Sequence, residues 1–210
     1  LNAVRSLETG ICHLYSPKFD DWTVPELMDY IREGRDDRLL AIAQMIRLGV
    51  DIGMINSATK IDMFFLDKIY NIVAYEETLR SSPFDIDVLK QAKRMGFSDK
   101  YIAMVWNSTE FDLFRFRKDH GVMPVYKMID TCASEFASYV PYFYSTYENE
   151  NESIVSERKK IIVLGSGPIR IGQGVEFDYS TVHAVWTIQK SGYEAIVINN
   201  NPETVSTDYT

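Results

Sequence analysis

From residue 23 to residue 121, apolar side chains recur every three or four positions, the period of helices that each bury one face. Thr23-Val24-Pro25-Glu26 has the form of a capping box, and the helix it opens runs to Ile31-Arg32 with Gly34 beyond. Asp36 or Asp37 starts a second helix, with Leu39, Leu40, Ile42, Ala43, Ile46 and Leu48 as its face and Gly49 as its stop. Gly53 to Asn56 predicts a short third. The longest helix begins at Ile61, carries Phe64, Phe65, Leu66, Ile69, Ile72, Val73 and Leu79, and ends at Ser81-Ser82-Pro83. Three short helices follow: Ile86 to Met95 before Gly96, Asp99 to Trp106, and Thr109 to His120 before Gly121. Residues 1 to about 22 read as an irregular lead-in, its first stretch the tail of a helix stopped by Gly10. Nothing here alternates with period two, so the region is expected to be all-helical.

Past Gly121 the pattern changes. Val122 to Ile129, broken by Pro124, reads as extended; Thr131 to Val140 reads as one more helix, and Tyr142 to Tyr147 as a strand. Glu148 to Glu157 is acidic, Asn-rich and nearly free of apolar residues, the composition of a boundary. Then Ile161-Ile162-Val163-Leu164, an apolar run suited to a strand buried on both faces, leads into a glycine-rich turn from Gly165 to Gly174. Tyr179 to Lys190 carries Val182, Val185, Trp186 and Ile188 at helical spacing, with Gly192 as stop, and Ile196-Val197-Ile198 is a second buried-type strand. Strand, glycine turn, helix and strand make a βαβ unit. The fold class expected is α followed by α/β: an all-helical domain over 1–150 with its lead-in, an acidic linker over 151–158, and a partial Rossmann-like βαβ unit over 159–210. One βαβ unit has too few strands to bury both faces of a parallel sheet, and the chain opens on Leu1, so a piece of a longer protein is expected.

Composition narrows the classes. With 46% hydrophobic and 13% aromatic residues among 210, a packed core is affordable and wholesale disorder is not expected. A net charge of -8 opposes nucleic acid or an anionic membrane as main partner. No apolar run approaches the ~20 residues of a membrane span, so no membrane partner is expected. Cys12 and Cys132 provide neither a disulfide framework nor metal-ligand spacing and read as reduced cytosolic thiols, which places the protein in the cytoplasm.

Candidate chemistry concentrates at the loops of the βαβ unit, because open parallel sheets bind ligands at the carboxyl ends of their strands. The turn places glycines at 165, 167, 172 and 174, which fits neither G-x-G-x-x-G nor a P-loop, yet Gly165, Gly167, Gly172 and Gly174 with Arg170 could line a loop that contacts an anion. Glu176 and Glu203 each follow a strand end. They could act as acid and base, as metal ligands or as a polar wall; Glu176 could instead face the helix dipole and Glu203 be merely solvated. His13, His120 and His183 share no metal-binding spacing, and His183 reads as packed or capping. The Phe, Tyr and Met residues of the helical region read as core. Phe111, Phe114 and Phe116 with Arg115 and Arg117 suggest a nucleic-acid face that the acidic balance opposes.

GSGPIRIGQGVEFDYSTVHA followed by NNNPETVSTDY resembles the large subunit of carbamoyl phosphate synthetase, at the start of its carbamate-phosphorylating half. INSATKIDMFFLDKI, AKRMGFSD and PVYKMIDTCASEFASYVPYFYSTYE resemble the same family in the same order, so the likeness covers nearly the whole chain except Leu1 to about Asp21. The resemblance implies a helical oligomerisation domain joined to a truncated pre-ATP-grasp domain. It implies a parent enzyme, a glutamine-hydrolysing, ATP-dependent ligase, that makes carbamoyl phosphate from bicarbonate, glutamine-derived ammonia and two ATP for pyrimidine or arginine synthesis. Its cofactors would be ATP with Mg²⁺ or Mn²⁺, and its partners a glutaminase small subunit, the rest of the large subunit and further copies of itself. Glu176 and Glu203 match glutamates lining the passage that carries carbamate between two active sites. None of the family's ATP-grasp machinery is present, so the chain alone is expected to bear no catalytic or metal-binding residue, hold no cofactor and be inactive. The alternative is a non-catalytic helical self-association module with a mononucleotide-binding βαβ tail.

Overall fold

The structure, a computed structural model, describes residues 1–7, 9–129, 142–165 and 176–198; for residues 176–178 only the backbone is described. The helix expected over Thr131 to Val140 lies outside the described residues. The chain forms two compact units, one of Leu1–Val125 with Ser145–Asn151, the other of Tyr126–Tyr144 with Glu152–Thr210.

In the first unit the helices are α1 Asn2–Ser6, α2 Val24–Arg32, α3 Arg38–Arg47, α4 Ile52–Thr59, α5 Met63–Ser81, α6 Ile86–Arg94, α7 Asp99–Val105 and α8 Glu110–Asp119. Their starts follow from short polar side chains that satisfy the free N–H groups of a first turn. The Glu26 carboxylate accepts from both the N–H and the hydroxyl of Thr23, at 2.8 and 2.6 Å. Asp85 accepts from Asp87 and Val88 N–H, each at 2.9 Å, to open α6, and Asp62 accepts from Phe64 N–H at 2.8 Å to open α5. At the far ends Val50, Phe97 and Val122 N–H reach back to the carbonyls of Met45, Ala92 and Arg117, each just past a glycine.

The core has two parts. Phe19, Leu27, Ile31, Leu40, Ile42, Met45, Ile55, Leu66, Ile69 and Val73 pack as one; Leu79, Leu89, Phe97, Tyr101, Ile102, Trp106, Leu113 and Val122 pack as the other. The long helix α5 serves both. Each fully buried side chain of this size stabilises the fold by about 1.5–3 kcal/mol relative to exposure.

One expectation is corrected by the side-chain exposures. Phe64 and Phe65 are 61% and 60% exposed, not core. At 100° per residue Phe64 sits about 200° around α5 from Leu66, and the buried stripe instead runs Leu66, Ile69, Val73, Glu76. Met54, Met104 and Phe111 are likewise exposed, so the aromatic and Met residues of this unit are only partly core. The lead-in contributes to the core: His13, Leu14 and Phe19 are all buried.

Strands β1 Val125–Met128 and β2 Phe143–Thr146 pair as a two-stranded sheet. In the second unit, β3 Lys160–Leu164, α9 Glu176–Lys190 and β4 Glu194–Ile198 form the βαβ unit, β3 pairing parallel to β4 from Lys160↔Glu194 to Leu164↔Ile198. An all-helical domain followed by a partial βαβ unit is therefore the architecture. Val182 of α9 is buried and Val185 and Ile188 half-buried, whereas Trp186 is 38% exposed. β3, expected to be buried on both faces, exposes Ile162 and Leu164 at 58% and 76%. β4 and α9 pack on it, and one helix covers one face of a sheet.

Candidate functional site

The carboxyl ends of the two parallel strands meet. Leu164 is in register with Ile198, and the Gly165 N–H donates to the Ile198 carbonyl over 2.7 Å. The glycine-rich loop thus leaves β3 beside the point where the chain leaves β4. The described chain resumes at Glu176, the first residue of α9, where the free N–H groups of a helix start favour negative charge. Of the expected site residues, Gly165 ends the strand pair and Glu176 opens the helix. Gly167, Arg170, Gly172, Gly174 and Glu203 lie outside the described residues, as does Cys132.

An ion pair stands at the opposite edge, where the two parallel strands begin. Lys160 at the start of β3 lies 3.7 Å from Glu194 at the start of β4, and the Ser156 hydroxyl donates to the same carboxylate. That hydrogen bond, with the Lys160 and Arg158 charges, holds the Glu194 carboxyl below its ordinary range. His183 is exposed, its ring 4.3 Å from Tyr179 and 5.2 Å from Trp186, centroid to centroid. It stands in an aromatic row on α9 at i, i+4 and i+7.

The helical unit holds two buried ionic clusters that sequence reasoning missed. In the first, His13 Nε2 lies 2.8 Å from Glu76 Oε1, both side chains 1% exposed. Arg47 donates to the same carboxylate from Nε at 2.9 Å and Nη2 at 2.7 Å, and Arg47 Nη2 also reaches the Leu14 carbonyl. The His13 ring stacks on Tyr101 at 3.7 Å. Burial alone would push the Glu76 carboxyl up, but hydrogen bonds and charge from Arg47 and His13 outweigh it and hold it at about 2. Burial pushes the His13 imidazole down in spite of Glu76. In the second cluster Asp99 takes Lys93 at 2.8 Å and Arg117 at 2.9 Å. Arg117, one of the cations that suggested a nucleic-acid face, therefore points inward. The signal was present in the spacing: Glu76 sits on the buried stripe of α5, and Arg117 falls four residues after buried Leu113. Both clusters are paired networks that hold the helices together.

Among the described residues no group of three His, Cys, Asp or Glu side chains is placed to hold a metal ion, and no helix is long and apolar enough to cross a membrane.

Comparison with known families gives two matches. Residues 1–121 match the carbamoyl-phosphate synthetase large chain, oligomerisation domain. Residues 157–210 match the carbamoyl phosphate synthase pre-ATP-grasp domain.

Proposed function

The chain belongs to the carbamoyl-phosphate synthetase large-chain family, and from that premise we propose that it joins the two synthetase halves and forms part of the carbamate passage. In this reading the parent enzyme is a cytoplasmic, glutamine-hydrolysing ligase that consumes bicarbonate, glutamine-derived ammonia and two ATP, with ammonia supplied by a glutaminase small subunit. ATP and Mg²⁺ act on the parent's nucleotide-binding domains, where the metal would neutralise phosphoryl oxygens. The chain itself has no catalytic residue in this scheme and works by holding and enclosing. Carbamate decomposes in water, so its route between two sites must exclude solvent. Glu176 and Glu203 are assigned to the wall of that route.

One observation supports the assignment most directly: the hydrogen bond from Gly165 to Ile198 sets, at one edge of the sheet, the two points from which the chain runs on towards Glu176 and Glu203. The test is Glu176→Gln and Glu203→Gln in the complete synthetase. Bicarbonate-dependent ATP hydrolysis and ATP formation from carbamoyl phosphate should both persist, while overall synthesis falls about tenfold or more. Equal loss in all three assays would place these residues in a reaction centre and overturn the passage reading.

The helical unit is proposed to associate with further copies of itself. Met54, Phe64, Phe65 and Met104 leave apolar surface that association could cover. A strictly monomeric chain by light scattering at tens of micromolar, an order-of-magnitude working range, would remove that role.

A further inference from the structure

The acidic stretch that follows β2 has the composition of a free linker, yet its first part is bound. Ser145–Asn151 belongs to the helical unit. The Tyr147 ring lies over two buried cations, 5.1 Å from Lys93 Nζ and 5.9 Å from the Arg117 guanidinium carbon. Arg94 donates from Nε to the Tyr147 carbonyl at 3.2 Å and from Nη2 to Asn149 Oδ1 at 2.8 Å.

The seat under Tyr147 is built in advance of it. Lys93 and Arg117 are 8% and 10% exposed, and both pair with Asp99. Lys93 also donates to the Phe97 carbonyl at 2.8 Å, and Arg117 to the Val122 carbonyl at 3.2 Å. The Phe114 ring also lies 5.0 Å from the Arg117 guanidinium carbon. Two buried cations against one carboxylate leave an excess of positive charge. An aromatic face is the neutral group that best covers such an excess, because its quadrupole presents negative density to a poorly hydrated cation.

We propose that Ser145–Asn151 is a strap that fastens the chain onto the helical unit, with the Tyr147 ring as its pin and the Lys93–Asp99–Arg117 cluster as its seat. The part of the acidic stretch held on the helical unit therefore runs past Glu148 to Asn151. Arg94 fixes the direction of the strap by holding backbone and side chain two residues apart.

The test uses the full chain and a Glu-specific protease that can cut after Glu148 and Glu150. Wild type should be cut there slowly. Tyr147→Ala should speed those cuts about tenfold, and Tyr147→Phe, which keeps the ring, should leave them within about twofold. Arg94→Ala, at an exposed side chain, serves as a second variant should Tyr147→Ala lower the melting temperature of the helices; it should speed the same cuts. Hydrogen exchange of amides 145–151 should rise in step. If wild type is cut at Glu148 as fast as the same sequence in a free peptide, or if Arg94→Ala leaves the rate unchanged, the strap is refuted.

Discussion

His13 and Glu76 meet through one 2.8 Å contact between two side chains that are each 1% exposed, sixty-three residues apart in the chain. Arg47 completes the arrangement from α3 and also takes the Leu14 carbonyl. Through this cluster the lead-in becomes part of the helical core: Leu14 packs in the first core cluster and Cys12 against the second.

Acidification should weaken the helical unit in two separable windows. The His13 imidazole is held below its ordinary 6.5 by burial, so the unfolded chain binds its proton first, and stability present above that value is lost as pH falls below it. The Glu76 carboxyl is held at about 2 against an ordinary 4.5, so its contribution is present above 4.5 and disappears as pH falls towards 2. Urea midpoints followed from pH 8 downward should therefore decline first below about 6.5. His13→Gln should flatten the upper decline while leaving the lower one. An unchanged upper slope in that variant would assign it to other groups.

Removing the carboxylate should cost more than weakening its partner. Glu76→Ala leaves Arg47 and His13 without their acceptor in a buried site, a loss of about 3–5 kcal/mol. Arg47→Lys keeps the charge, but an ammonium cannot reproduce the fork that meets both carboxylate oxygens and the Leu14 carbonyl, and about 1–3 kcal/mol is expected. Denaturant unfolding gives both numbers. Hydrogen exchange at residues 11–16 should rise more in Arg47→Lys than in a surface control such as Arg32→Lys.

Much of the helical unit could be read from the chain because its signals are local. The caps at Thr23, Asp62 and Asp85 and the glycine stops each specify a boundary within one turn. The β3–α9–β4 order was legible for the same reason. What escaped were long-range pairings. Glu76 looks like an interruption of an apolar stripe until His13 and Arg47 are brought to it, and no local rule brings them. Phe64 and Phe65 have the hydrophobicity of core residues, but their angular position on α5 decides their exposure. Of the candidate site, the strand ends and the start of α9 are placed, whereas Glu203 and most of the glycine-rich loop lie outside the described residues.

The angular argument on α5 has a direct test. Leu66 is fully buried and Phe64 is 61% exposed. Leu66→Ala should therefore destabilise by about 2–5 kcal/mol. Phe64→Ala removes a larger side chain yet should change stability by less than about 0.5 kcal/mol. Comparable losses in the two variants, measured in dilute monomer by urea unfolding, would place Phe64 in the core after all.

Gly192 separates steric from conformational cost. It follows α9 at φ +83°, and a Cβ there would meet nothing within 4 Å. The Gly192 and Tyr193 N–H groups close the helix end on the carbonyls of Gln189 and Ile188, at 3.0 and 3.2 Å. A side chain therefore has room but must be carried by a left-handed backbone. Gly192→Ala should cost about 1–2 kcal/mol through the backbone alone. Gly192→Asn, though bulkier, should cost less, because asparagine tolerates this region. If space were limiting, the order would reverse. Thermal unfolding of the three proteins decides it: a larger loss for asparagine than for alanine would contradict both the open surroundings and the left-handed turn that aims β4 back along β3.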